Sequence, residues 1–370
     1  MKTLKWVNVS SIIMFTLSSV AWIFLATDYF KVQKVSGVDV KGAKIVSDNG
    51  QDVKIKKIEQ VDRTNSILDE AMITSEAVTE AQTLTEKKVF VPKKEDGVGE
   101  TYVRAKAAVA IDVGSETILH NQNALKRLPI ASLTKLMTAL VTVDKIHNLK
   151  SEVVTIDQEV CHTPTSIIGC PTSSYCFSDT LSVGEKVYAQ DLLEAMLSNS
   201  ANDAAVALGK HVAGSQKDFA KLMNKKAKEI GLKNTHFCNP SGLDDDDHPK
   251  DCYSSAEDVA RIVVYALKND KYKVLWPIFR VKERWFNSVD GKKKHRYAST
   301  NILLDTMPNC EGAKTGFTYE AGKTLMMIAE NPKDKNKKVV AVILNDPYRF
   351  DDVQKLFNWI FENYSWKNNS

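Results

Sequence analysis

The chain holds no H-E-x-x-H, no G-x-S-x-G, no Walker loop and no Rossmann glycine fingerprint. Those absences remove the motif-borne routes to a zinc peptidase, an α/β-hydrolase elbow, a P-loop NTPase and a dinucleotide enzyme. Histidine is scarce, at seven residues in 370. No charge of one sign dominates: 50 Lys and Arg face 46 Asp and Glu, a net +4 spread along the chain. So balanced a chain is not built for nucleic acid, and no such partner is expected. No internal repeat is visible, and no metal or other cofactor is expected. Apolar material is not lacking. Hydrophobic residues make up 43%, ample for one large domain or two ordinary ones.

No C-x-x-C occurs among the six cysteines, Cys161, Cys170, Cys176, Cys238, Cys252 and Cys310. Zinc is the alternative reading of "CHTPTSIIGCPTSSYC", but the ligand spacing is missing. In an exported protein cysteines favour disulfides, and buried free thiols are the inert alternative. Sequence cannot choose among the pairings. At least one bridge is expected, with Cys238 and Cys252, which flank a short polar loop, as the foremost pair. "GLDDDDHPKD" does not have the spacing of an EF-hand loop and reads as a solvated acidic loop rather than a calcium site.

Export is written at the N-terminus. Lys2 and Lys5 precede Trp6 to Thr27, twenty-two residues without a charge and long enough to span a bilayer. Basic residues ahead of the run put the N-terminus in the cytoplasm and the rest outside. A signal peptide cut after Ser19-Val20-Ala21 competes with this reading. "WIFLA" continues the apolar run past that site, which favours an uncleaved anchor. Residues 1–27 are therefore anchor or signal peptide. Residues 28–100 read as a polar stalk, with a possible amphipathic helix through Ile55, Ile58, Val61 and Leu68, closed by "VPKKEDGVGE". Residues 101–370 are the globular part.

Within it, "AKAAVAIDV" reads as a buried strand and "ETILH" as its hairpin partner. "YAQDLLEAMLSNSANDAAVALGKHVA" reads as helix, loop, helix. "QKDFAKLMNKKAKEIGL" is an amphipathic helix stopped at Gly231, and "SSAEDVARIVVYALK" another, capped by Ser254 or Ser255. "KTLMMIAE" and "KKVVAVILND" read as strands, and "FDDVQKLFNWIFENY" as a closing helix. Strands at both ends with helices between imply one sheet assembled from the two ends of the chain.

In "ASLTKLMTAL", residues 131–140, Leu133, Leu136, Met137 and Leu140 form one apolar stripe of a helix. The bland reading makes Ser132 an N-cap and Lys135 a solvated side chain. The sharper one notes that residues three apart share a helix face, so the amine can take the hydroxyl proton. Two more pieces follow in order: "SAN" at Ser200 to Asn202, in a helix–helix loop, and "KTG" at Lys314 to Gly316, just before a strand.

The order S-x-x-K, S-x-N, K-T-G resembles the serine penicillin-recognising enzymes. "LPIASLTKLMTALV", "DLLEAMLSNSANDAAVALG", "NTHFCNPSGL", "TNILL" and "EGAKTGFTYEAGKTLMMIA" look like the low-molecular-mass D-alanyl-D-alanine carboxypeptidases over about residues 101–365. The resemblance implies an α/β (α+β) fold of the β-lactamase/transpeptidase type, an antiparallel sheet flanked by helices with an inserted, mostly helical subdomain. It implies that Ser132 is the nucleophile, Lys135 the base and Ser200 a proton relay to the leaving amine. Asn202 would bind the substrate amide. The N–H groups of Ser132 and Phe317 would form the oxyanion hole, beside Gly316, where a ligand can approach closely. Lys314, Thr315 and Arg349 would receive the terminal carboxylate. A lysine ordinarily titrates at about 10.4, so Lys135 must be buried beside another cation such as Lys314 to serve as a base. The implied partners are a peptidoglycan stem peptide ending in D-Ala-D-Ala, β-lactam antibiotics and, through the N-terminal segment, the membrane.

Three alternatives stay open. A D,D-endopeptidase shares every motif. A β-lactamase shares the fold, but its E-x-x-L-N is missing between Asn202 and Lys314. A non-catalytic wall-binding module would not need Ser132, Lys135 and Lys314 together. The cysteine-rich stretch departs from the family pattern. So do the fifty-four residues after Gly316, enough to finish the catalytic domain, which leaves membrane attachment to the N-terminal segment.

Overall fold

The computed structural model describes residues 90–164, 166–172, 175–244 and 251–366, together with two dipeptide strands nearer the N-terminus. The chain divides into two compact units, Met1–Lys88 and Val89–Ser370. In the first, Gln33–Lys34 pairs in parallel with Lys56–Lys57. The backbone at Lys56–Lys57 is thus extended where the pattern through Ile55 and Ile58 suggests a helix; its pairing groups are spent on the other dipeptide. The remainder of that pattern, the expected anchor and most of the expected stalk lie outside the described residues.

The second unit is built on five antiparallel strands in the order β3-β4-β5-β1-β2. These are β1 (Ala107–Asp112), β2 (Ile118–Gln122), β3 (Cys310–Thr318), β4 (Gly322–Asn331) and β5 (Asp334–Leu344). Val109 of β1 pairs with Val342 of β5, so the two ends of the chain meet at the middle of the sheet. Alternate residues serve opposite faces. Val109, Ile111, Met326, Ile328, Val340 and Val342 join the main core. Ala108, Ala110, Leu325, Met327, Val339, Ala341 and Ile343 face a second core under the closing helix, with Val353, Leu356, Phe357 and Ile360. A strand buried on both faces is apolar throughout, which is why "VVAVIL" shows no alternation.

Helices α1 (Thr134–Lys145), α2 (Ala189–Ser198), α3 (Asn202–Ala213), α4 (Gln216–Ile230) and α5 (Ala256–Leu267) fill the interval; α6 (Arg349–Asn363) closes the fold. Ser215 caps α4 by accepting from Asp218 N, and Ser255 caps α5 by accepting from Asp258 N. Helix α1 is buried from Thr134 to Val143, and even its hydroxyls are satisfied inside: Thr138 Oγ1 donates to Pro240 O at 2.7 Å. It is the central helix of the insert, which fixes whatever stands at its N-terminus.

Three placements differ from the sequence reading. "KTG" lies inside β3, not before a strand. β3 is an edge strand, and "EGAKTGFT" lacks the apolar run that marks the inner strands. Lys93–Lys94 pairs with Tyr364–Ser365, so the folded unit takes in residues read as stalk; a dilysine joined through backbone bonds has no apolar signal. The hairpin of Glu283–Asn287 with Lys294–Ala298 is new, hidden by its charge.

Cys238 and Cys252 stand at bonding distance with Cα atoms 5.5 Å apart, and so do Cys170 and Cys176, with Cα atoms 4.0 Å apart. Cys161 and Cys310 are unbridged. Most of the acidic loop, residues 245–250, lies outside the described residues. Among those described, no cluster of three or more metal-ligating side chains occurs, and no helix is long and apolar enough to cross a membrane.

Candidate active site

Ser132 sits in the 3₁₀ turn Ala131–Leu133 that leads into α1. It is not a cap: neither the turn nor α1 has a side-chain cap hydrogen bond. Ala131 before it is held at φ 49°, an uncommon conformation for a residue with a Cβ. Gly242 presses on this turn. A Cβ at Gly242 would lie 2.0 Å from Ala131 O, so only glycine fits.

Lys135, one turn on, is fully buried. Its Nζ donates to Ser132 Oγ at 2.8 Å, Asn202 Oδ1 at 2.7 Å and Ser241 O at 2.5 Å. All three partners are uncharged. Burial pushes the amine down to about 7, opposed by the charge of Asp203. Asp203 is itself buried, which pushes its carboxyl up to about 7 although Ile168 N and Ala204 N donate to it.

Lys314 is also fully buried, and its Nζ donates to Thr315 O at 2.8 Å. Its amine is held well below the usual lysine range, first by burial and then by the charges of Lys135 and Arg349. The sequence reading used Lys314 to lower Lys135. Here desolvation itself lowers Lys135, and the charge of Lys135 acts on Lys314.

Gly316 brings β3 against the serine. A Cβ there would meet Thr324 Oγ1 at 2.4 Å, and Ile130 O and Ser132 N at 3.1 Å each. Thr315 Oγ1 is 2.6 Å from Thr300 Oγ1, and Thr300 N donates to Ser198 O at 3.0 Å. The K-T-G strand is thereby tied to the base of the S-x-N loop. Arg349, just ahead of the stretch read as the closing helix, is the first residue of α6. Its Nη1 donates to Gly316 O at 2.6 Å and Thr324 O at 3.1 Å, while Nε is buried without a partner. Burial pulls the guanidinium down to about 10.

Ser200 occupies the loop between α2 and α3 at φ 65°, a conformation that needs a reason in a residue other than glycine. Its neighbour Asn202 supplies one: Asn202 N donates to Ser166 O at 2.6 Å, and Nδ2 to Pro164 O at 3.3 Å. The structure thus joins Ser132, Lys135, Asn202, Lys314, Thr315, Gly316 and Arg349 through direct contacts. Ser200 and Phe317 stand beside them in the chain.

This arrangement is a hydroxyl hydrogen-bonded to a buried amine near neutrality, beside an edge strand that carries a second amine and is held by a guanidinium from α6. The D-alanyl-D-alanine carboxypeptidase family, peptidase S11, matches residues 94–348. The chain belongs to that family. The carboxypeptidase DacF of Bacillus subtilis (strain 168) is 33% identical over 276 residues, 73% of this chain and 66% of that protein. The D-alanyl-D-alanine endopeptidase of Pseudomonas aeruginosa is 29% identical over 69% of this chain and 76% of its own length. The crystal structure of a D-alanyl-D-alanine carboxypeptidase from Mycobacterium tuberculosis H37Rv superposes with TM-score 0.63 at 26% identity, covering 75% of this chain and 97% of that one. The chain spans slightly less than two thirds of the length of DacF.

In this peptidase S11 member the S-x-N loop rests on a floor from the stretch after Cys161. Pro164, Ser166 and Ile168 are stitched to Asn199, Asn202 and Asp203: besides the Asn202 bonds, Ser166 Oγ donates to Asn199 O at 3.3 Å and Ile168 N to Asp203 Oδ2 at 3.0 Å. The stretch between Cys161 and Cys176 therefore reaches the site through backbone contacts. Ser241, Thr300 and Asp203 escaped the sequence reading. The quoted stretches "NPSGL", "TNILL" and "SAND" held them, but Ser241 acts through its carbonyl, Thr300 through a hydroxyl and a backbone N–H, and Asp203 through burial, which no motif displays.

Proposed function

We propose that this protein is a serine-type D-alanyl-D-alanine carboxypeptidase, exported and held at the outer face of the cell membrane by its N-terminal segment. The observation that carries the reading is the 2.8 Å contact from fully buried Lys135 Nζ to Ser132 Oγ. An amine near 7 is neutral in a large fraction of molecules at neutral pH and accepts the hydroxyl proton as Oγ attacks the carbonyl of the penultimate D-alanine. The N–H groups of Ser132 and Phe317 stabilise the oxyanion. Collapse breaks the peptide bond, Ser200 passes a proton to the departing amine, and D-alanine leaves. Ser132 then carries an ester of the shortened peptide. Lys135 deprotonates a water that attacks this ester, and the serine is regenerated. Asn202 holds the substrate amide, and Lys314, Thr315 and Arg349 surround the free carboxylate. A penicillin presents the same carboxylate and an activated amide, so it acylates Ser132 and leaves slowly.

The test is incubation with a pentapeptide ending in D-Ala-D-Ala, followed by detection of released D-alanine. Ser132→Ala should abolish both release and covalent labelling by a fluorescent penicillin while the fold persists. Labelling that survives the substitution removes the proposal. An endopeptidase is distinguished by a cross-linked muropeptide: it would be cut faster than the free pentapeptide.

A further inference from the structure

Three basic side chains meet at the site, Lys135, Lys314 and Arg349. Among the described residues none of them is in an ion pair with a carboxylate; their protons go to a hydroxyl, an amide oxygen and backbone carbonyls. A carboxylate stands one residue past the S-x-N motif. Asp203 is the second residue of α3 and 2% exposed. Its neighbour Asn202 accepts from Lys135 Nζ at 2.7 Å. Asp203 itself accepts only from backbone. Oδ1 takes Ile168 N at 3.1 Å and Ala204 N at 2.8 Å, and Oδ2 takes Ile168 N at 3.0 Å. One oxygen thus receives both donors. An asparagine could accept them through its carbonyl, so these bonds do not by themselves call for a buried charge.

The groups that face the Asp203 charge come from three elements. They are Lys135 of α1, His295 of the Glu283–Asn287/Lys294–Ala298 hairpin and the Cys161 thiol. None of them is hydrogen-bonded to it. His295 already has a partner, Glu185, at 2.5 Å. The other charges nearby are engaged too: Asp191 and Glu194 of α2 with Arg284, and Lys210 of α3 with Asp157 and Glu159. Lys314 of β3 faces Lys135 as a like charge. Among the described residues, Lys135 is therefore the unpaired cation that the Asp203 charge reaches. Asp203 is likewise the carboxylate whose charge raises the Lys135 amine against its burial.

We propose that Asp203 is a positioning residue for acyl transfer: its carboxylate, out of contact, is the counter-charge that keeps Lys135 basic enough to take the Ser132 proton. This rests on the carboxypeptidase reading of the site. A buried amine among neutral acceptors loses its proton readily, and for the same reason accepts one poorly. A carboxylate in contact would restore basicity but would occupy one of the three donor directions that now serve Ser132, Asn202 and Ser241. Set one residue beyond Asn202, it restores basicity and leaves those directions free. The sign follows. Without the charge Lys135 binds its proton less tightly, so it becomes free at lower pH and is a weaker base once free.

The experiment follows the second-order rate of acylation by a fluorescent penicillin from pH 5 to 9 in the full-length protein, Asp203→Asn and Asp203→Glu. The acid-side midpoint should drop by about one pH unit in Asp203→Asn, a tenfold loss of proton affinity, with a lower plateau above it. In Asp203→Glu, which keeps the charge, the midpoint should stay at the parental value. An Asp203 that serves the fold alone would lower the rate alike at every pH. An unmoved midpoint in Asp203→Asn overturns the proposal, as does a midpoint in Asp203→Glu that moves as far as in Asp203→Asn. A second measurement leaves residue 203 unaltered. Coupling between two sites is reciprocal, so losing the amine in Lys135→Ala should push the Asp203 carboxyl further up. Carbon-13 NMR of labelled aspartate follows that carboxyl, which titrates at about 7 in the parent. A titration unchanged by Lys135→Ala also overturns the proposal. If instead the parent takes no penicillin at any pH, it is the carboxypeptidase reading that fails, and the carboxyl titration still decides the coupling.

Discussion

Lys135 gives its protons to a hydroxyl, an amide oxygen and a backbone carbonyl, with no carboxylate among them. A buried ammonium without a counter-ion in contact is poorly compensated, and losing its proton relieves it. The sign of the pH effect follows. Below about 7 the amine is protonated and cannot accept from Ser132; above it the amine is free. The second-order rate of acylation by a fluorescent penicillin should therefore climb on the acid side with a midpoint near 7. A profile flat from pH 5 to 9 would dissociate Lys135 from proton transfer. Lys135→Ala should slow acylation by several orders of magnitude, and a mere tenfold loss would show that another group is the base.

Arg349 belongs to the same scale. Its bonds to Gly316 O and Thr324 O hold the K-T-G strand in place and aim its remaining donors. Arg349→Ala should lower kcat/KM for a free-acid peptide by about 1.5–3 kcal/mol, the scale of a hydrogen bond to a charged group. Amidating the peptide terminus should reproduce that loss in the parent, with little effect on penicillin. Hydrolysis of the free acid by Arg349→Ala at the parental rate would leave Lys314 and Thr315 holding the carboxylate alone. Ser132 and Lys135 were legible in sequence because helical spacing alone puts them on one face. Ser241 was not, since it contributes a carbonyl, and any residue type has one.

Among elements, the stretch after Cys161 stands out because Pro164, Ser166 and Ile168 contact the S-x-N motif and the residues beside it. Cys170 and Cys176 close it, and Phe177 N donates back to Gly169 O at 2.8 Å. That bridge stands two residues after Ile168, which with Pro164 contacts Asp203 and Asn202. Cys170→Ser should therefore slow penicillin acylation while leaving the melting transition cooperative. An unchanged rate would make the bridge irrelevant to the site. Cys238–Cys252 spans a longer loop, and losing it should cost about 3 kcal/mol in denaturant unfolding, by the usual entropy of closing some 15 residues. Thiol titration of the unfolded, unreduced protein should find two free thiols, Cys161 and Cys310. The helices of the insert were readable because end signals and apolar stripes agree there, as at Gly231 and Ser255. The edge strand and the lysine-rich hairpin were not, because exposed backbone pairing leaves no period in the side chains.

On the scale of the molecule, the sheet seen in sequence as strands at both ends is the sheet observed, with Val109 paired to Val342. The resemblance supplied the relation between the three motifs; composition alone would have stopped at a mixed fold. The proposed function assigns the protein's location to its N-terminal segment. Deleting residues 1–27 should release the protein from membranes in cell fractionation and leave it without access to its wall substrate. A truncated protein that still sediments with membranes would place the attachment elsewhere.

The same pairing sets an order of events in time. A chain that emerges amino-end first presents β1 long before β5, and Ser132 long before the Gly316 strand that packs on it. Contacts so distant in sequence close late. Until its last hundred residues have been delivered, the polypeptide has a serine and a lysine on a helix but no strand edge to receive a peptide. On the export reading proposed above, the site is still incomplete on the side where the chain is made. Activity begins only where the whole length has arrived.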